Sequence, residues 1–231
     1  MNADADADVT GREPRAGRGF AIAVVRGVLF FVGTVLASRL FLGEDVDPFG
    51  GSDAALVLVA VLLTIDCVGT NLALLKVARQ SPQSLGWRFD NVARDVVVGV
   101  AGFVVCAAIV CGVIFAFFGS EGVDDTLKNI REFSLRQRLC FFAIGVFGGA
   151  MAEESLYRGY LQPALVKRLG PVGGIAVTSL VFSLLHLSFK PISVISKALL
   201  GATYGVVALR TGGLLAPAVT HALVWWVIGA S

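Results

Sequence analysis

Residues Val96–Phe118 read VVVGVAGFVVCAAIVCGVIFAFF, 23 positions without a charged, amide or hydroxyl side chain. At 1.5 Å per residue this run makes a helix of about 35 Å, long enough to cross a hydrocarbon core of about 30 Å. Working outward, charged residues gather at Lys76–Asp95 and Glu121–Arg138, and again at Met1–Arg18 and Gly43–Asp53. Between and beyond these clusters lie six more apolar runs: Gly19–Leu42, Ala54–Leu75, Leu139–Val166, Val172–Ser188, Ile192–Leu209 and Leu214–Ala230. Hydrophobic residues make up 56% of the 231 positions, more than one soluble core needs. The fold class read from this pattern is all-α, a polytopic transmembrane helix bundle with seven spans.

Basic residues set the expected orientation. Arg12, Arg15 and Arg18 precede the first span, the first loop has none, and Lys76, Arg79, Arg88 and Arg94 fill the second. With Lys167, Arg168 and Arg210 on the same side, ten lie inside against five outside, which places the N-terminus in the cytoplasm by the positive-inside rule. Lys128, Arg131, Arg136 and Arg138 in the third loop run against the rule. The expected location is the plasma membrane. Asn2–Thr10, with its alternating Ala and Asp, reads as part of a disordered tail over residues 1–18, and not as a cleaved signal, because the apolar run behind it is of spanning length. Cys67, Cys106, Cys111 and Cys140 fall within or at the edge of spans and form no disulfide framework. A net charge of +2 spread over loops excludes a nucleic-acid stripe. The lipid bilayer is the first partner implied.

An ionisable side chain inside a span costs about 2.5–3.5 kcal/mol, so such residues persist where they pair or line a cavity. The fourth span contains GGAMAEESLYRGYLQPALVKRLG (148–170), with Glu153, Glu154 and Arg158. Glu154 and Arg158 are four apart, acid first, and can neutralise each other on one face. Glu153 points about 100° away and is expected to face a cavity, with Tyr157 one turn on. The fifth span, from PVGGIAVTSLVFSLLHLSF (171–189), places Phe182 and His186 one turn apart.

A hairpin about Arg168–Pro171 puts Glu153 and His186 each about 21 Å from the turn, hence level with each other. A carboxylate and an imidazole so placed can activate a water for peptide-bond hydrolysis, Glu153 taking the proton and His186 orienting the water or protonating the leaving amine. The plain alternative is a pair of polar groups tying helices together.

His221, in LLAPAVTHALVWWVIG (214–229), follows Pro217, whose missing N–H loosens the local ladder, and could donate to an oxyanion. Counted from Leu214 it lies only about 11 Å deep. Trp225 and Trp226 fit an interfacial anchor. Gly201 and Gly205 read as a close helix contact. Arg26 and Asp66 also lie within apolar runs without a partner identifiable from sequence, which leaves a proton or ion path as a third reading.

The Glu-Glu-x-x-x-Arg set of Glu153, Glu154 and Arg158, the Phe-x-x-x-His set of Phe182 and His186, and the later His221 together resemble the CPBP group of intramembrane proteases. That group includes type II CAAX prenyl proteases and bacteriocin-processing or immunity proteins. The resemblance covers about Arg138–Gly229, and Ser84-Leu85-Gly86-Trp87 is similar to the family's lead-in to its core helices. It implies a bundle of seven to eight helices around an intramembrane polar cavity, with residues 19–136 as N-terminal helices and 137–231 as the catalytic core.

It further implies an endopeptidase acting on a membrane-associated protein or peptide, with Glu153 and His186 activating water, His221 serving the oxyanion, and Glu154, Arg158 and Phe182 in support. Trp225 stands where the family has Asn, and losing one oxyanion donor costs about 10²- to 10³-fold in turnover. The alternative is therefore a weak or inactive member acting as a binding or immunity protein. No cofactor is expected. A divalent metal such as zinc held by Glu153, His186 and His221 is the other possibility, although the His-Glu-x-x-His signature is absent.

Overall fold

The computed structural model describes residues 15–41, 53–186 and 189–228. Most of the expected N-terminal tail, the first loop at 43–52 and the ends of the fifth and seventh expected spans lie outside the described residues. Within them every element is helical: α1 (Ala16–Phe41), α2 (Asp53–Leu72), α3 (Val92–Glu132), α4 (Leu135–Ile144), α5 (Gln162–Leu184), α6 (Pro191–Thr211) and α7 (Leu215–Ile228). Two stretches wind more widely, as π-helix: Ala73–Val77 after α2, and Gly145–Leu161, which joins α4 to α5. The Gln162 N–H bonds the Tyr157 carbonyl five residues back. π-Turns are rare and concentrate at functional sites, and the longer one carries Glu153, Glu154 and Arg158.

The helix starts follow local chemistry. Ser134 and Gln137 form a reciprocal capping box before α4, at 3.2 and 2.9 Å. The Asn91 side chain accepts the Arg94 N–H at the head of α3. Pro191 opens α6, and left-handed Gly212 closes it.

Five helical runs are long and apolar enough to cross a membrane: Ala16–Ala37, Val57–Val77, Val92–Glu132, Leu135–Leu184 and Pro191–Thr211. The sequence reading was seven. One of the two missing spans is α7, and the other lies in the fourth run, where Gly170 (φ 71, ψ 173) breaks the helix ahead of Pro171. There the chain folds back, so that a carbon added to Gly174 would meet the Val166 backbone at 2.7 Å. This reversal separates the fourth and fifth expected segments, but Pro171–Leu184 and the 14-residue α7 both fall short of the roughly 20 residues a span needs. A second break at Gly119 (φ 68, ψ −162) turns the end of α3 back, so that Val123, Leu127 and Ile130 line a small apolar cavity with Val110 and Ile114. The charged stretch expected as a loop is therefore helical as far as Glu132.

Large apolar side chains face outward along the bundle, Leu29 at 67%, Val97 at 68% and Val172 at 83% exposure among them. A surface this apolar suits acyl chains rather than water. Inside, α7 lies against α3 through close backbone approach: the Thr220 hydroxyl donates to the Gly99 carbonyl at 2.9 Å, and a carbon added to Gly99 would come within 2.7 Å of Val219 Cβ. The Gly99→Val substitution is accordingly expected to cost about 1–3 kcal/mol, read as a lower thermal midpoint of the detergent-purified protein. Gly112→Ala, with nothing within 4 Å of the added carbon, is expected to hold or slightly raise it.

Candidate active site

The π-helical stretch presents two adjacent carboxylates to two different sets of partners. Glu154 is fully buried and faces Arg158, whose Nη1 lies 3.3 Å from Glu154 Oε1. The same oxygen is 2.9 Å from His221 Nδ1 on α7. The second guanidinium nitrogen of Arg158 donates to the Gly201 carbonyl at 2.9 Å, and Gln162 donates to the Gly205 carbonyl at 3.0 Å. The Gly201/Gly205 pair thus serves as a close contact at which α6 carbonyls meet polar side chains. The Arg158 guanidinium sits between the rings of Phe182 (4.7 Å), Tyr204 (5.2 Å) and Tyr157 (5.7 Å), a box that holds a cation out of water through the ring quadrupoles.

Glu153 faces the other way, as the spacing implied, but it is not a lone carboxylate. Arg26 of α1 reaches it, with Nη1 3.0 Å from Glu153 Oε1, while the Nε and Nη2 edge of the same guanidinium grips Asp66 of α2 at 2.8 and 2.6 Å. Arg26 and Asp66 were visible in the sequence as ionisable residues in apolar runs. What the sequence lacked was the packing of α1 and α2 onto the π-helical stretch. This bidentate pairing gives both residues a structural task that accounts for their presence without an ion path.

The two histidines close on the same carboxylate. His186 Nε2 lies 4.0 Å from Glu153 Oε1, and His221 Nε2 lies 3.7 Å from Glu153 Oε2. His221 reaches this depth because the turn before α7 is drawn inward: buried Leu214 donates its N–H to the Gly86 carbonyl at 2.9 Å. The segment Ser84–Trp87 meets the site from the same side, with the Trp87 indole N–H bonded to the Ser155 hydroxyl at 2.9 Å. Phe182 makes edge contacts with His186, Tyr157 and His221, and His221 stacks on Tyr204 at 4.5 Å.

Hydrogen bonding assigns the tautomers. His186 Nδ1 lies 2.6 Å from the Phe182 carbonyl oxygen, which can only accept, so the proton is on Nδ1. His221 Nδ1 likewise donates to the Glu154 carboxylate. Nε2 of each ring, which carries the lone pair when the ring is neutral, faces Glu153.

Trp225 is not brought into this polar cluster. It packs with Val59, Leu63, Phe141 and Ile144, and its Cβ would lie 2.6 Å from a carbon added to Gly145. Trp226, further out, makes an edge contact with Phe142. Nor do the donors suit a metal: Glu153 Oε1 is already bonded to a guanidinium, and among the described residues no three His, Cys, Asp or Glu side chains form a group that could hold an ion.

Arg158→Met strands the Glu154 carboxylate in an apolar site and is expected to destabilise the protein by about 3–5 kcal/mol. The double variant Glu154→Gln/Arg158→Met removes both charges and should recover much of that loss in the same thermal assay.

No curated protein and no solved structure matches the chain. Apolar helices of spanning length make it a multi-pass membrane protein. Residues 135–227, which contain Glu153, His186 and His221, match the family described as Rce1-like, type II CAAX prenyl endopeptidase Rce1-like, and this segment is similar to the CPBP intramembrane proteases.

Proposed function

We propose that the chain is an intramembrane endopeptidase in which Glu153 is the general base of a metal-free hydrolysis. The observation that carries this reading is the facing of two hydrogen-bond acceptors, Glu153 Oε1 and His186 Nε2, at 4.0 Å. Two acceptors at this separation call for a donor between them, and a water satisfies both with its two hydrogens. Held there, the water loses a proton to Glu153 while its oxygen attacks a peptide carbonyl. Glu153 then returns the proton to the departing amine as the C–N bond breaks.

Glu154, Arg158 and Phe182 keep the imidazoles oriented. His221 lines the far side of the carboxylate, and donation from its Nε2 to an oxyanion needs a second proton on the ring. The substrate is a peptide or membrane-associated protein entering from the bilayer, and similarity to type II CAAX prenyl endopeptidases makes a prenylated C-terminal peptide the first to try. Residues 137–231 form the hydrolytic core and residues 19–136 its support, in a plasma-membrane protein with a cytoplasmic N-terminus.

Glu153→Gln keeps the side-chain shape and removes the base, so cleavage of a prenylated and unprenylated peptide panel by purified protein should fall about 10²- to 10⁴-fold. Parental activity in that variant rejects the role.

The packing of Trp225 favours a second reading, a weak or inactive member that binds a partner as an immunity protein does. Because the indole fills an apolar cluster, Trp225→Asn is expected to cost about 3–5 kcal/mol of stability and to leave cleavage no faster. A large gain in cleavage would instead mark the native site as crippled by the tryptophan.

A further inference from the structure

Peptide hydrolysis forms an oxyanion, and a fixed donor for it is hard to find among the histidines. Both Nδ1 protons are committed, to the Phe182 carbonyl and to Glu154, and a ring in its neutral form turns a lone pair toward Glu153. The Trp225 indole lies in an apolar cluster. Arg26 is different. Its guanidinium has five N–H donors and cannot be deprotonated; Asp66 takes the Nε and Nη2 edge, and Glu153 takes one hydrogen of Nη1. Of the two N–H groups left, one is engaged by the Tyr157 hydroxyl, and one remains.

We infer that Arg26, fixed by Asp66, is the oxyanion donor of the hydrolysis, an inference that rests on the role of Glu153 given above. Glu153 Oε1 is the point at which Arg26 Nη1 and His186 Nε2 converge, at 3.0 and 4.0 Å, so a water held between Glu153 and His186 lies beside Nη1.

The charge bookkeeping favours the transition state. In the resting site the guanidinium faces two carboxylates. As water gives its proton to Glu153 and its oxygen bonds to the carbonyl carbon, the carbonyl π pair moves to oxygen, so one negative charge leaves Glu153 and one appears on the substrate. The Nη1 donor released by the neutral carboxyl then serves the oxyanion. When the C–N bond breaks, that electron pair returns to reform the carbonyl, and the amine leaves with the proton from Glu153. An interaction that strengthens only as the barrier is climbed raises turnover rather than substrate binding. Asp66 acts through Arg26 as a positioning residue, because a bidentate grip holds the fork in one orientation.

The test compares binding of a phosphinate peptide, which mimics the tetrahedral anion, with that of the matching amide peptide. The proteins are the parental chain, Arg26→Lys, which keeps a cation beside Asp66 and Glu153, and Arg26→Gln/Asp66→Asn, which removes both members of that pair so that Asp66 is not stranded. The parental protein should prefer the phosphinate. Both variants should lose about 10²- to 10³-fold of that preference while keeping amide-peptide affinity, with the same loss in kcat at retained KM. Guanidinium ion should partly restore kcat in the double variant, and methylammonium at equal ionic strength should not.

A phosphinate preference kept in either folded variant overturns the assignment to Arg26 and leaves the Glu153 reading intact. No phosphinate preference in the parental protein overturns both. Arg26→Lys keeps a cation opposite Asp66, so the question stays decidable if the double variant does not fold.

Discussion

Two neighbouring carboxylates, Glu153 and Glu154, are held inside an apolar bundle, and the electrostatic cost of that placement organises what surrounds them. A buried ion left unpaired costs several kcal/mol, so each carboxylate must meet a cation of its own. Arg158 serves Glu154 from the same helix, and Arg26 serves Glu153 from another. The cations in turn need company: Asp66 for Arg26, and three aromatic rings with a backbone carbonyl for Arg158. The helices that pack on the π-helical stretch are thus the ones that bring a compensating charge, ring or carbonyl to it.

This division separates bracing from chemistry. The Glu154 side is a buried network in which Glu154 Oε1 meets both the Arg158 guanidinium and the His221 Nδ1–H beneath the rings of Tyr204 and Phe182. On the Glu153 side the carboxylate, held by Arg26, faces the Nε2 atoms of both histidines at 4.0 and 3.7 Å. A charge network shared among three side chains gives rigidity, whereas facing acceptors leave room for a donor between them. Wide winding of Gly145–Leu161 accompanies this split, and glycine at 149 lets the His221 ring approach, since an added carbon would sit 2.8 Å from its Nε2.

Much of this was legible in the chain. Apolar runs of spanning length, the Glu153/Glu154/Arg158 and Phe182/His186 spacings and the break at Gly170-Pro171 follow from local patterns, and the equal arm lengths about that break bring Glu153 and His186 together. The pairing of Arg26 with Glu153 was not legible, because the two lie 127 residues apart and nothing local in either run encodes the packing of α1 on the π-helical stretch. The depth of His221 was not legible for a similar reason: it depends on Leu214 being held inward by Gly86, a contact across the bundle. Charge alone made 121–138 read as a loop, although a helix that turns back at Gly119 carries those charges as well.

By itself the sequence determined that this is a chain of membrane-length helices carrying a polar site, because hydrophobic period, charge placement and i, i+4 spacing act over a few residues and survive any arrangement of the helices. Only the tertiary structure decided which carboxylate is braced and which stands opposite a lone pair, which nitrogen of each histidine bears the proton, and that Trp225 belongs to an apolar cluster. Those are properties of groups from different helices within about 4 Å of one another, and that proximity is created by packing.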